Sequence, residues 1–175
     1  MLKNRPLIRR ITICAVMTAL AILLCRVLGF PPTGAYRIEI SFLPIAVIAM
    51  LYGPVWSGIC YAAADLIGAA ILTGINPFIT LCKLLFGVLM GLVFYKKRRG
   101  PLGIILFFLL AGVLVDICCM TPIFVYQFGY TWKAALIYRA IGFAVNTPVR
   151  ILLMILIEPR LAKFFPTLTE KKESD

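Results

Sequence analysis

The chain has 175 residues, 62% of them hydrophobic, with a mean hydropathy of +1.01 and a formal charge of +11. Only 14% of residues are charged, against roughly 25% in a soluble domain, so a water-soluble globule of this composition would expose aggregating apolar patches. The positive charge argues against a nucleic-acid face, because Lys3, Arg5, Arg9 and Arg10, then Lys96, Lys97, Arg98 and Arg99, then Arg160, Lys163, Lys171 and Lys172 all flank apolar stretches, as cytoplasmic loops do under the positive-inside rule.

A helix that crosses the hydrocarbon needs about 20 apolar residues. The first expected span covers 7–29 and reads as a retained helix, because its apolar run has no small-residue cleavage site. On it, Ala15 and Ala19 form a small-xxx-small step that lets another helix approach closely, from inside the protein or from a partner. A loop carrying Phe30, Tyr36 and Arg37 follows. The second helix, 40–52, is short, contains Pro44 and is expected to be tilted, broken or only partly spanning.

Gly53 and Pro54 turn the chain into a third helix over 55–72. The segment Thr73-Gly74-Ile75-Asn76-Pro77 breaks it before a fourth, over 78–95. Gly100-Pro101 introduces the fifth, 102–126, and the sixth runs over 132–164 with a bend expected at Pro148. A polar tail occupies 167–175. The expectation is one all-α membrane domain of six helices, with no linker or repeat. An even number of crossings places both termini and all three basic clusters on the cytoplasmic side.

Ionisable groups inside a span cost at least about 2.5 kcal/mol near the bilayer centre, so each requires a reason. Those within or bordering the spans are Arg26, Arg37, Glu39, Asp65, Lys83, Asp116, Arg139 and Arg150, joined by the amide Asn146. Counting helical rise puts Asp65, Lys83 and Arg139 roughly 10 Å below the outer ends of their helices. Arg26 lies just inside the outer end of the first. Asp116 and Asn146 are deeper and Arg150 deeper still, where it reads as a packing or interface residue.

Most of these groups share one layer, which predicts a polar pocket open to the outside. Plainer readings compete with it. Asp65 and Lys83 form a structural ion pair, Arg26 snorkels to the headgroups, Asp116 is kept neutral by burial or pairs with Arg139, and the aromatics at the mouth are an interfacial belt.

The sequence has no histidine, three serines outside any nucleophile elbow, no phosphate-binding G-x-x-x-x-G-K-[ST] loop and no metal-ligand spacing among its six cysteines. No catalytic residue, metal or cofactor is expected. A transport protein without fuel is either an ion-coupled carrier or the binding subunit of a larger machine. A small membrane scaffold without a ligand is the remaining class. No inverted repeat favours the carrier.

The run Arg37-Ile38-Glu39-Ile40-Ser41-Phe42-Leu43-Pro44, the Tyr52-Gly53-Pro54 turn, and Ala64-Asp65-Leu66-Ile67-Gly68 together resemble the substrate-binding S components of energy-coupling factor (ECF) vitamin transporters. Gly87-Val88-Leu89-Met90-Gly91 and Arg139 with Asn146-Thr147-Pro148 fit the same pattern, and the likeness is greatest to the folate-specific branch. The resemblance implies a plasma-membrane protein that captures a vitamin outside the cell. It then docks, through an Ala-x-x-x-Ala surface matched by Ala15 and Ala19, on one transmembrane coupling protein and two ATPases.

It also implies folate as bound substrate, with another vitamin or precursor as the nearest alternative. A carboxylate suits the adjacent N–H donors of a pterin edge, and Asp65 is favoured for it, with Asp116 behind. Arg26, Arg37 or Arg139 would take the glutamate tail, Asn146 would add a donor and an acceptor, and Tyr36 and Phe30 would stack on the ring. Lys83 completes the candidate set.

Overall fold

The computed structural model describes residues 5–27, 39–72, 74–96 and 99–164. Six helices account for nearly all of them: α1 (Arg5–Val27), α2 (Phe42–Tyr52), α3 (Pro54–Leu72), α4 (Pro77–Phe94), α5 (Pro101–Phe128) and α6 (Trp132–Phe164). Five are long and apolar enough to cross a membrane. The exception is α2, whose 11 residues rise only about 16 Å.

Local sequence explains most of the boundaries. Gly53 holds a φ of 88° between α2 and α3, a conformation that favours glycine, and Pro54 follows as the first residue of α3. At α4 the Asn76 side chain accepts from the backbone N–H groups of Phe78 and Ile79, and Pro77 opens the helix. Left-handed Gly129 ends α5. α6 stays helical through Pro148, where a bend is expected, and through Pro159.

α5 does depart from regular geometry, over the π-helical stretch Val113–Cys119. Widening a turn in this way shifts the register of the residues that follow it. The stretch carries Asp116.

The short α2 forms the centre of the bundle. A helix apolar on every side must be enclosed, and Phe42, Pro44, Ile45, Ala46, Val47, Ile48, Ala49 and Met50 are all buried, against α1, α3, α4 and α6. Pro44 is harmless there, because the first turn lacks intrahelical acceptors for its N–H groups. On α1, Cys14, Thr18 and Ala21 are buried, whereas Ala15 and Ala19 lie on the exposed face. The small-residue step therefore makes no packing surface among the described residues.

The basic ends meet at one end of the bundle. Arg10 lies over the Tyr52 ring at 5.9 Å, the Lys96 amide donates to the Met50 carbonyl, and the Arg99 amide donates to Glu158 at 3.0 Å. The start of α1 and the ends of α2, α4 and α6 thus share a face with the start of α5. α2 ends at that face and begins about half a bilayer above it. A partial span is enough to keep the chain's alternation intact.

α3 and α4 pack most closely. Gly87 and Gly91 face Pro54, Ser57 and Gly58, and the buried Ser57 hydroxyl donates to the Gly87 carbonyl at 2.8 Å. Any Cβ at Gly91 would overlap the Pro54 backbone, whereas one at Gly142 on α6 meets nothing within 4 Å. Overpacking costs about 1–3 kcal/mol. Gly91→Ala should accordingly lower the melting temperature in detergent by on the order of 5 °C, while Gly142→Ala leaves it unchanged. Equal melting temperatures for the two variants would refute this packing.

Candidate functional site

The polar residues inside the bundle form a descending series. At the outer rim the Asn76 amide, already capping α4, also donates to Gln127 near the end of α5. One turn below on α4, the Thr80 hydroxyl donates to Asp65 of α3 at 2.8 Å. A further turn down are Lys83 on α4 and Tyr61 on α3. The Lys83 ammonium lies 3.5 Å from the Tyr61 hydroxyl and 5.1 Å from its ring centroid. Because α3 and α4 run antiparallel, each step along one matches a step along the other.

The deepest layer brings together four charges from separate parts of the chain. Glu39, just before α2, pairs with Lys83 through one carboxylate oxygen. Its other oxygen lies 2.9 Å from Nη2 of Arg150 on α6. Arg150 Nη1 in turn reaches Oδ2 of Asp116, in the π-helical stretch of α5, at 2.7 Å. The guanidinium sits 5.1 Å from the Phe86 ring centroid, above an aromatic core that includes Phe42, Phe107 and Phe108. Two acids and two bases make the layer neutral, the condition under which charge is tolerated in a low dielectric.

Asn146 stands one turn above Arg150 on α6. Its Oδ1 accepts the Glu39 backbone N–H at 3.0 Å and its Nδ2 donates to the Gly142 carbonyl at 3.1 Å. These two bonds set the orientation of the amide.

The layer is not sealed. Arg150 keeps 5% of its side-chain surface accessible, but Lys83 keeps 14%, Glu39 18% and Asp116 19%. Charged groups at this depth belong against protein or a water-filled space rather than lipid. The quartet is the deepest polar layer among the described residues. The Asp65–Thr80 pair lies one to two turns above, towards the rim.

Arg139 lies apart from this stack. Its guanidinium lies 3.8 Å from the Phe124 ring centroid on α5, within cation–π range. Phe124 is itself packed against Phe128 and Tyr130. Among the described residues it has no carboxylate partner in an ion pair.

Several expected pairings are thereby replaced. Asp65 binds Thr80, and Lys83 takes Glu39 in its place. Asp116 pairs with Arg150, and not with Arg139. Arg150 is no peripheral packing residue but the centre of the buried network, since one guanidinium holds two carboxylates on different segments.

Lys83, Asp116 and Asn146 are thus brought together, with Asp65 above them and Arg139 to one side. Phe30, Tyr36, Arg37, the side chain of Arg26 and the tail 167–175 lie outside the described residues.

Glu39 and Arg150 are the members of the buried network that motif reading undervalued. A charge balance could have exposed them. Away from the ends of the described spans, Lys83, Arg139 and Arg150 outnumber Asp65 and Asp116, and Glu39, which borders a span, evens the count.

The arrangement offers fixed donors and acceptors inside the bundle, with its deep carboxylates committed to cations. That geometry suits recognition of a polar solute.

A family model described as the substrate-specific component of the ECF transporter matches residues 9–164. The folate transporter FolT of Clostridium novyi (strain NT) is 28% identical over 137 residues, covering 77% of this chain and 79% of that protein. A crystal structure of FolT bound with folic acid aligns with a TM-score of 0.72 at 29% identity, covering 83% of this chain and 88% of that one. A six-helix bundle with its polar residues turned inward agrees with these matches, and the chain belongs to the family of substrate-specific components of ECF transporters, as a multi-pass protein of a prokaryotic cell membrane.

Proposed function

We propose that this chain is the folate-binding S component of an ECF importer, taking the vitamin from outside and delivering it through a separate ATP-driven module. The observation that carries the reading is the likeness to the folic acid-bound FolT structure, with a TM-score of 0.72 over 83% of this chain. The interior polar series supports it, because a flat ring rich in donors and acceptors needs fixed partners below the membrane surface.

Asp65 receives the N–H edge of the pterin. One of its oxygens is held by Thr80, and the carboxylate retains acceptor capacity for a charge-assisted pair. Asn146 contributes a hydrogen bond to the ring from its fixed amide. Arg139, against the Phe124 ring and near the outer aromatic residues, receives a carboxylate of the glutamate tail together with Arg26 or Arg37. Phe30 and Tyr36 stack on the ring.

The exposed face of α1 bearing Ala15 and Ala19 docks on the coupling protein, which is joined by two ATPases. This division of labour accounts for a transport protein whose sequence has no nucleotide-binding loop.

Protein purified without added vitamin should retain a folate detectable by mass spectrometry, and titration should give one site per chain. Retention of a different vitamin would replace the substrate while keeping the transport role. No ligand in either assay would favour a scaffold. Asp65→Ala should weaken folate binding by about 10- to 100-fold, the scale of a hydrogen bond to a charged group; an unaltered affinity would remove Asp65 from the site.

The tail assignment has its own test. Arg139→Ala should lower affinity for folate by about tenfold, as loss of one exposed-end charge contact does, and leave affinity for pteroate, which lacks the glutamate, as in the parent chain. Equal losses for both ligands would contradict it. In vesicles, uptake should require the coupling protein, both ATPases and ATP, and uptake by this chain alone on an ion gradient would overturn the mechanism.

A further inference from the structure

We infer that Glu39 is a positioning residue of the vitamin site, acting as the shared counter-charge that holds Asn146 in place rather than as a ligand contact. The inference rests on the folate reading for its measurable signal. Three tethers leave this one residue. Its backbone N–H binds Asn146 Oδ1, one carboxylate oxygen takes Lys83 on α4, and the other takes Arg150 on α6.

Those helices have different chief neighbours. α1, α2 and α3 pack on one another and α4 packs on α2, α3 and α5, whereas α6 packs chiefly on α5 and meets α2 only narrowly. A carboxylate shared between Lys83 of α4 and Arg150 of α6 therefore fixes the spacing of two helices that do not themselves pack closely.

Neutrality makes the device specific. With Glu39 present, Lys83 and Arg150 face Glu39 and Asp116, two charges of each sign. Without its charge, two cations face a single carboxylate in a medium that screens poorly. Lys83 and Arg150 then repel across the gap between α4 and α6. Arg150 has little room to respond, since only 5% of its side chain is accessible. The displacement passes to Asn146, one turn away on the same helix and bonded to the Glu39 backbone.

A residue that touches the vitamin and one that balances charge respond differently to a second substitution. Glu39→Gln keeps the shape and removes the charge. It should weaken folate binding by at least about tenfold, the effect of losing one well-made polar contact in the site. Adding Lys83→Met restores neutrality, leaving Arg150 with Asp116. The double variant should bind within about threefold of the parent, a strongly non-additive cycle.

Lys83→Met alone unbalances the layer in the opposite sense and should also weaken binding. It supplies the comparison if Glu39→Gln does not fold. Thermal melting and gel filtration of each variant identify which are folded. Losses that multiply in the double variant would overturn the inference and make both residues ligand contacts. Undiminished binding by a folded Glu39→Gln chain would overturn it as well. If the parent chain binds no folate, the folate reading fails first, and the parent titration reveals that separately.

Discussion

Charges buried in hydrocarbon must neutralise one another, and in this protein the groups that do so come from distant parts of the sequence. Glu39 and Arg150 are separated by 111 positions and meet at 2.9 Å. Removing one partner of a buried pair costs about 3–5 kcal/mol, mostly through the charge left behind, so each member constrains the others. The positions of α2, α4, α5 and α6 follow from that constraint as much as from apolar packing. Apolar packing alone specifies little in a bilayer, because lipid is as good a solvent for leucine as another helix is.

The bundle divides its surfaces accordingly. Leucine and isoleucine side chains along α3, α5 and α6 are exposed to lipid, and tight small-residue contacts between α3 and α4 replace the missing hydrophobic drive. Polar groups are turned inward in tiers from Asn76 to Arg150. A short central helix makes the tiers possible. Because α2 covers only the half of the bundle near the basic end, its own side chains do not reach the level of Asp65 and Thr80. In a longer α2 that level would be filled by its own side chains.

Much of this was legible in the sequence. Hydropathy, the Gly-Pro turns and the three basic clusters led to six helices with a short second one, because those signals are local and repeat with the helix. The unusual depth of the ionisable residues was also visible from counting rise along each segment. Their pairing was not. Asp65 and Lys83 look like partners at equal depth, yet helical rotation puts Thr80 against Asp65 and Glu39 against Lys83. Rotation about an axis cannot be read from depth, and in α5 the π-helical turn shifts it further, placing Asp116 on Arg150. The same limit led to Arg150 being assigned to packing, since its distance from the outer end gave no sign of the carboxylates that reach down to it.

The claim beneath all of this is that the ion-paired layer forms the floor of a chamber entered from the opposite end to the basic loops. A structure of the folate-loaded chain in a lipid nanodisc tests it most directly. The account predicts density for the pterin between the Asp65–Thr80 pair and Asn146, with Glu39, Lys83, Asp116 and Arg150 still joined beneath it. Vitamin bound elsewhere on the chain, or a ligand that has parted Glu39 from Arg150 to occupy the floor itself, would contradict it.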